Sequence, residues 1–390
     1  MGYGFRREDV AFLASAAGRA ALAEVDRLEL TPASHLRDLE RVRREHGAWA
    51  PALLDTVRLR RKAGAKLVDA GEWLFTDDAL QQATPTVVAR QRAARLTGRA
   101  VHDVTCSIGA ELVELARVCP SVIGSDLDDV RLSMAAHNLT GDRNVLLARA
   151  DALVPVTTGT VVVADPARRA DGRRTHDPAK LQPPLPDLLN AYPGRDLVVK
   201  CAPGLDFDRL GWAGEIEVVS LDGAVREACL WSPGLTDADI TRRATVSATN
   251  RPSFTLTDAD PDDIPEQAPG EWIIDPAGAV VRAGLVRHYA AKHGLWQLDP
   301  RIAYLTGDRV PDGTRGFRIV DRLEFREKTL RSELRRRDCG ALEILVRGVD
   351  VDPDQLRRRL KPTGTQSYTL VITRIGRAAT VFVCIAVAPR

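Results

Sequence analysis

The stretch VHDVTCSIGAELVELA, residues 101–116, contains an apolar run, an acid, a turn of small residues and then a helical pattern. A strand that stops at Asp103 and turns through small residues to Gly109 is typical of a place where a ligand approaches the backbone, because small side chains leave room there. The pattern predicts a strand, a ligand-binding turn and a helix in succession.

Residues 99–235 repeat the same alternation of apolar runs and amphipathic stretches. The apolar runs are AVHDVT, SVIGSDL, NVLLARAD, TVVVADP, DLVVKCAP, EIEVVSLDG and EACLWSPG. Continuous apolar strands separated by helices predict a parallel sheet covered on both faces. Asp222-Gly223 lies between the last two runs and is a hairpin signal, so we expect the sheet to end in an antiparallel strand.

The rest of the chain has a different character. Residues 1–98 predict an N-terminal helical domain, with Thr31-Pro32 opening one helix and Thr76 capping another. Residues 236–315, rich in Asp, Pro and Thr, predict a connecting subdomain, and residues 316–390 a compact α+β module with antiparallel pairing. With 390 residues, a chain of two to four domains is expected.

Composition excludes several classes of protein. Of the residues, 44% are hydrophobic and 28% charged, with no apolar run long enough for a membrane span and no segment resembling a signal peptide. The six cysteines are scattered without a CxxC or a Cys/His pairing, so neither a disulfide framework nor a metal site is expected. Free cysteines of this kind favour a cytoplasmic protein.

The formal net charge is only +2, but it is unevenly distributed. Residues 236–275 carry nine acids and three bases, whereas residues 315–390 carry seventeen bases and nine acids. A basic C-terminal module predicts a polyanionic partner such as RNA. The alternative, that the arginines only solvate the surfaces of helices, stays open.

Four consecutive strands of the predicted sheet end in an aspartate: Asp103, Asp126, Asp151 and Asp165. Because the carboxyl ends of parallel strands share one edge of the sheet, where ligands bind, we expect these four side chains to surround one site. A single such Asp is often just a helix cap. Four in succession favour a binding site.

The four acids suit a nucleoside with an amino-acid tail. Asp126 follows the turn at the spacing from which an acid accepts hydrogen bonds from ribose hydroxyls. Asp151 suits an adenine amino group, and Asp103 suits an ammonium group. A dinucleotide is disfavoured because the turn between Asp103 and Gly109 lacks the G-x-G-x-x-G fingerprint that holds a pyrophosphate. These features point to S-adenosylmethionine as the cofactor.

A family resemblance runs from about residue 70 to the end of the chain. HDVTCSIGAE, IGSDLD, RADA and VVVADPARR resemble the four ordered motifs of class I S-adenosylmethionine-dependent methyltransferases. WLFTDDALQQATPTVVARQRAARL resembles a segment that closes over the cofactor in some RNA methyltransferases. Together with VVKCAPGLDFD, IAYLTGD and GFRIVDRLEF, the set is similar to bacterial class I methyltransferases with a C-terminal THUMP-like domain.

The resemblance implies an α/β fold: a Rossmann-like class I methyltransferase sheet with an N-terminal helical domain and a C-terminal α+β THUMP-like domain. It also implies a set of residues that bind the cofactor. These are Thr84, Asp103, Thr105, Cys106, Ser107, Gly109, Asp126, Leu127, Asp151, Ala152 and Asp165.

The candidate catalytic residues are Asp165, Pro166, Arg168 and Lys200. Related amino methyltransferases carry Asn/Asp-Pro-Pro-Tyr/Phe at this strand end, and this chain keeps the Asp-Pro but lacks the aromatic residue. Arg168 or its neighbour could stack on a base or hold a phosphate, or both could be solvated in the long loop 168–188. Lys200 is expected either to contact substrate or to pair with Asp165.

These features predict a methyltransferase that acts on RNA (tRNA or rRNA), at a base nitrogen. Two alternatives stay open: a catalytically silent RNA-binding or assembly protein on the same scaffold, and a small-molecule methyltransferase. Cys106 and Cys201 are interpreted as packed residues rather than nucleophiles, and His102 and His176 as packing or surface residues.

Overall fold

The chain forms two units. The computed structural model describes residues 2–387 except 168, 171–172, 175–176, 208 and 238, with the backbone alone at 169–170 and 173–174. One unit consists of Met1–Glu215 with Glu227–Asp237, and the other of Ile216–Arg226 with Ala238–Arg390. The domain boundaries predicted after 98, 235 and 315 stay predictions. No helix in the described part of the chain is long and apolar enough to cross a membrane.

The N-terminal part is helical, as the pattern predicts. Its helices are α1 (Arg7–Ala14), α2 (Ala16–Val25), α3 (His35–His46), α4 (Ala50–Ala63), α5 (Asp77–Gln82) and α6 (Thr86–Arg95). The Thr76 hydroxyl caps α5 by accepting from the Ala79 amide at 3.1 Å. The helix start predicted at Thr31-Pro32 is wrong: α3 begins after Ser34, because Thr31 and Ser34 bond to each other in a separate turn.

The first sheet follows the predicted alternation. Its strands and the two small strands beside it are β1 (Val101–Asp103), β2 (Val122–Asp126), β3 (Val145–Arg149), β4 (Val161–Ala164), β5 (Arg169–Ala170), β6 (Arg173–Arg174), β7 (Leu197–Cys201), β8 (Glu215–Leu221) and β9 (Ala224–Trp231). The helices between them are α7 (Ala110–Ala116), α8 (Asp129–Asn138) and α9 (Leu185–Ala191).

In the first unit the strands lie in the order β3–β2–β1–β4–β7–β9. All neighbouring strands from β3 to β7 pair in parallel, and β9 pairs antiparallel to β7, which confirms the predicted antiparallel strand. The strands β1, β4 and β7 are buried along their whole length. The carboxyl ends of five strands therefore meet at one edge of the sheet.

The predicted hairpin joins β8 to β9. Asp222 and Gly223 have φ angles of 50° and 78°. Two successive positive φ angles match the twist of a two-residue hairpin, and Asp-Gly tolerates them. The prediction from this dipeptide is confirmed.

Asn138, the last residue of α8, connects the N-terminal helices to the sheet. Its Oδ1 accepts from the Leu74 amide at 2.7 Å, and its Nδ2 donates to the carbonyl oxygens of Leu74 at 3.1 Å and Ile108 at 3.0 Å. Ile108 belongs to the turn after β1, so one amide side chain fixes both that turn and the segment before α5.

The second unit contains strands that the sequence did not indicate. Its elements after β8 are β10 (Arg242–Ala248), β11 (Arg251–Thr257), β12 (Trp272–Ile274), α10 (Gly278–Arg282), α11 (Val286–His293), β13 (Trp296–Gln297), β14 (Leu305–Gly307), β15 (Gly316–Glu324), α12 (Glu327–Arg336), β16 (Cys339–Arg347), α13 (Pro353–Leu360), β17 (Gln366–Ile375) and β18 (Ala378–Val387). Strand β10 pairs in parallel with β8 and antiparallel with β11.

The other strands of this unit form a sheet in the order β13–β14–β12–β15–β18–β17–β16. Residues 236–315 thus contribute three short strands to the same sheet as residues 316–390. The antiparallel pairing predicted for the C-terminal module holds for β15–β18 and β17–β18. It is wrong for β16–β17, which pair in parallel because α13 returns the chain between them.

We expect Asn138→Ala to lower the free energy of unfolding by about 2–3 kcal/mol. The change removes three hydrogen bonds, each worth about 1 kcal/mol, and leaves part-buried backbone groups without partners. The matched control is Asn190→Ala, on the exposed face of α9, which should stay within about 0.5 kcal/mol of wild type. Urea denaturation measures both, and an equal effect of the two changes would contradict the connecting role of Asn138.

Candidate active site

A cavity of about 930 Å³ opens at the carboxyl end of the first sheet. Most of the residues predicted to form the site line it: Thr84, Asp103, Thr105, Cys106, Ser107, Asp126, Leu127, Asp151, Ala152, Asp165 and Lys200. Gly109 and the buried Pro166 do not line it. Arg168 lies outside the described residues. The roles of all these residues stay predictions.

The turn after β1 connects three strand ends. Asp103 Oδ1 accepts from the Thr105 amide at 2.9 Å, and Thr105 Oγ1 accepts from the Asp165 amide at 2.7 Å. Ser107, with φ at 50°, donates its amide to Asp126 Oδ2 at 3.0 Å. Local hydrogen bonds therefore hold the ends of β1, β2 and β4 in a fixed arrangement around the cavity.

Gly109 determines the conformation of this turn and does not line the cavity. Its φ is 79°, and a Cβ there would lie 3.0 Å from Leu139 Cδ1. Its amide donates to the Cys106 carbonyl at 2.9 Å, which closes the turn at the start of α7. The left-handed conformation explains the glycine at this position.

The other two acids are also held by amides of their own loops. Asp126 Oδ1 accepts from the Asp128 amide, and Asp151 Oδ1 accepts from the Leu153 amide, both at 2.9 Å. Asp126 is half-buried and Asp151 is exposed. Each side chain is therefore oriented by the backbone and still reaches the cavity.

Asp103 is the most deeply buried of the strand-end acids, with 4% of its surface exposed. Burial raises the pKa of its carboxyl to about 7; the Thr105 amide opposes this shift, and the carboxylates of Glu111, Asp165 and Asp126 add to it. Near neutral pH this group changes charge readily. A cation in the cavity would hold it ionised.

Lys200, at the end of β7, pairs with Asp165, one of the two roles expected for it. The Nζ atom lies 2.5 Å from Asp165 Oδ2, and it donates to Thr84 Oγ1 at 2.9 Å. Lys200 is 6% exposed, whereas the Asp165 side chain keeps 39% of its surface accessible. Thr84 lies between α5 and α6, so this ammonium group connects that segment to the end of β4.

A buried ion network in the wall of the cavity was not predicted from the sequence. Arg92 of α6 lies 2.5 Å from Glu111 and also forms a short contact with Glu227 of β9. Lys200 Nζ lies 3.9 Å from Glu227. The available signal was Glu227 itself, an acid within the otherwise apolar run EACLW. Further cavity-lining residues that went unnoticed are Gln82, Arg131, Lys180 and Gln182.

The cysteines and His102 have packing roles. Cys106 and Cys201 are buried free thiols, and burial raises the pKa of the Cys106 thiol well above its usual value, which disfavours a thiolate nucleophile. His102 bonds to Thr157 and Ser125, and burial lowers its pKa to about 4, so it is neutral. His176 lies outside the described residues. Among those described, no cluster of three His, Cys, Asp or Glu side chains suits a metal.

Comparison with known proteins identifies the family. The chain is 54% identical over 357 residues to an uncharacterized S-adenosylmethionine-dependent methyltransferase of Mycobacterium tuberculosis, found in strains CDC 1551 and H37Rv; the match covers 88% of this chain and 99% of the relative. The chain belongs to the S-adenosylmethionine-dependent methyltransferases. Residues 314–386 of this methyltransferase match a THUMP domain-like family, and residues 6–63 match a domain of unknown function, DUF8688.

A solved structure shares the fold of the methyltransferase. It is a candidate methyltransferase from Porphyromonas gingivalis W83, with a TM-score of 0.73 and 18% identity, covering 98% of this chain and 99% of that one. The match confirms the α/β methyltransferase fold, and the family match confirms the C-terminal THUMP-like domain.

Asp103→Asn should stabilise the ligand-free methyltransferase, and more so at about pH 8 than at about pH 5. A carboxyl whose pKa is raised to about 7 in the folded state contributes stability below the unfolded pKa near 4, and that stability is lost as pH rises towards 7. Asparagine keeps the acceptor for the Thr105 amide without the charge. Melting temperatures of the variant and wild type measure the difference, expected at about 2–4 °C or more at the higher pH.

The matched control is Asp187→Asn, at an exposed position on α9. Its melting temperature should differ from wild type by the same small amount at both pH values. A difference for Asp103→Asn that does not grow with pH would show that the Asp103 carboxyl does not titrate in this range.

Proposed function

We propose that this methyltransferase transfers a methyl group from S-adenosylmethionine to a base nitrogen of an RNA. The observation that carries the proposal is the half-accessible Asp165 carboxylate, followed by Pro166 at the end of β4 and held by Lys200 in the cavity. In the amino methyltransferases that this chain resembles, the acid or amide at this strand end orients the substrate amine, which supports the same role for Asp165.

The donor and acceptor set of the cavity fits the cofactor. Asp126 offers a carboxylate to ribose hydroxyls, Asp151 accepts from an adenine amino group, and Asp103 faces an ammonium group. The turn through Ser107 brings backbone close to the ligand. A volume of about 930 Å³ is near the upper end of typical ligand pockets, which leaves room for part of the substrate beside the cofactor.

The bound cofactor would supply a methyl group on a sulfonium centre. Asp165 would accept a hydrogen bond from the target N–H and so direct the nitrogen lone pair at that methyl group. Lys200 would keep Asp165 oriented, because its ammonium group is itself anchored to Thr84. The proton lost by the amine can leave through the accessible side of Asp165.

Two features support an RNA substrate. The THUMP-like region is strongly basic, with seventeen bases and nine acids in residues 315–390. The cavity also opens beside the residues of the loop that follows Asp165, including Lys180 and Gln182. Among the described lining residues there is no aromatic ring to stack on a base, so the planar side chains of Gln182 and Arg131 and the predicted contact from Arg168 are the candidates for that role.

Asp126→Ala should weaken S-adenosylmethionine binding at least about a hundredfold. Two hydrogen bonds from ribose hydroxyls to a carboxylate are worth about 1.5–3 kcal/mol each. Isothermal titration calorimetry measures the affinity, with Asp129→Ala in the first turn of α8 as the matched control outside the cavity lining. Similar affinities for wild type and Asp126→Ala would show that the Asp126 carboxylate does not bind the ribose hydroxyls.

Methyl transfer to RNA should depend on Asp165. Cell extract from a strain lacking the gene is divided into RNA and small-molecule fractions, and each is incubated with the methyltransferase and methyl-labelled cofactor. We expect label in the RNA, lowered at least about a hundredfold by Asp165→Ala, in the range of a lost catalytic hydrogen bond partner. Asp187→Ala should act as wild type. Label confined to the small-molecule fraction would exclude the RNA proposal and favour the small-molecule alternative.

A further inference from the structure

The THUMP-like region contains basic side chains that its own acids do not neutralise. Most of its acids are used elsewhere, in the pairs Arg337–Asp321, Arg359–Glu327, Arg336–Glu333, Arg315–Glu343 and Arg357–Asp354. Within the described part of this region, Arg331, Arg335 and Lys361 form no ion pair with a carboxylate.

These three cations lie around one small cavity of about 100 Å³. Arg331 and Arg335 are four residues apart on α12 and project from the same face of the helix. Lys361 follows α13 directly. Three like charges at one place destabilise the fold slightly unless an anion lies between them.

The cavity is held open by rigid backbone. The segment after α13 runs so close to the start of β16 that a Cβ on Gly340 would lie 1.8 Å from the Gly364 carbonyl oxygen. Asp338, the one acid of the lining, is occupied: its Oδ2 accepts from the Thr365 amide at 3.2 Å and the Thr365 hydroxyl at 2.5 Å. These two hydrogen bonds partly compensate the negative charge of Asp338 within the loop.

The cations are also positioned in advance. Arg331 Nη2 donates to the Arg359 carbonyl at 2.7 Å, which fixes its guanidinium over the gap between α12 and α13. Lys361 adopts a left-handed conformation with φ at 49°, and its amide closes α13 on the Arg357 carbonyl. The buried Leu334 and Leu360 form the floor of the cavity.

We propose that Arg331, Arg335 and Lys361 bind one phosphate group of an RNA backbone. A cavity of about 100 Å³ accepts a tetrahedral phosphate and not a nucleoside, so this site would position the strand without reading its sequence. Lys328 lies one turn before Arg331 on the same helix face and extends the basic stripe along the strand. The choice of RNA rests on the proposed function, whereas the site itself rests on the uncompensated charge.

The test is the salt dependence of RNA binding. A fluorescently labelled RNA hairpin is titrated with the full chain at several salt concentrations, and binding is followed by anisotropy. In the double variant Arg335→Ala/Lys361→Ala we expect affinity at about 0.1 M salt to fall at least tenfold, and the slope of log affinity against log salt to fall by about 0.7–0.9, as for the loss of one phosphate contact. Arg331 is left intact because its guanidinium also bonds to the backbone.

The matched control removes the same charge elsewhere in the unit. Arg318→Ala/Arg377→Ala changes two exposed arginines, in β15 and in the turn before β18, neither of which lines the cavity. Its affinity should stay within about twofold of wild type. Circular dichroism and thermal melting of the full chain check that both double variants are folded. Calorimetric binding of S-adenosylmethionine, whose candidate site lies in the other unit, should be unchanged in both.

The possible outcomes separate this site from the proposed function. Equal weakening by the two double variants would overturn the site, because total charge alone would then explain binding. Wild-type affinity in the Arg335/Lys361 variant, with label still transferred to RNA, overturns the site and leaves the function standing. If the Arg335/Lys361 variant loses RNA affinity but label appears only in small molecules, the site stands and the proposed function is overturned. If the wild-type protein does not bind the RNA but binds inorganic phosphate in calorimetry, the assignment of RNA as the ligand is overturned.

Discussion

Two buried cations, Arg92 and Lys200, allow so many acids to surround one cavity. Placing several carboxylates side by side in a poorly solvated site is unfavourable unless opposite charges lie within a few ångströms. Arg92 compensates Glu111 and Glu227, and Lys200 compensates Asp165. Asp103, which forms no ion pair with a cation of the described residues, is the acid whose pKa rises to about 7. The charge balance of the site thus depends on two buried cations in the cavity wall.

The residues of this ion network also connect separate elements of the first unit. Arg92 comes from the N-terminal helices, Lys200 from the middle of the sheet and Glu227 from its antiparallel strand. The N-terminal helices therefore form part of the cavity wall. Thr84 and Asn138 join these helices to the sheet at two further places. A methyltransferase sheet alone would lack one wall of the cavity and one of its two buried cations.

Much of this arrangement was predictable from the sequence, since it depends on local rules. Strand ends in a parallel sheet share an edge, which is why the sequence pattern alone predicts Asp103, Asp126, Asp151 and Asp165 around one site. Family resemblance supplied Thr84, which has no local signal of its own. The parallel pairing of β16 and β17 was not predictable in this way, because pairing direction depends on where α13 places the chain and not on the pattern within either strand.

The strand β9 has a consequence for synthesis on the ribosome. The chain leaves the first unit at residue 215 and returns with Glu227–Asp237, so the partner of Arg92 emerges more than a hundred residues after Arg92 itself. At about 5–20 residues per second, this interval is on the order of ten seconds. During that time Arg92 lacks one of its two carboxylate partners. The first unit therefore reaches its final charge balance only when its last strand has been made, which links completion of the cavity wall to completion of the domain.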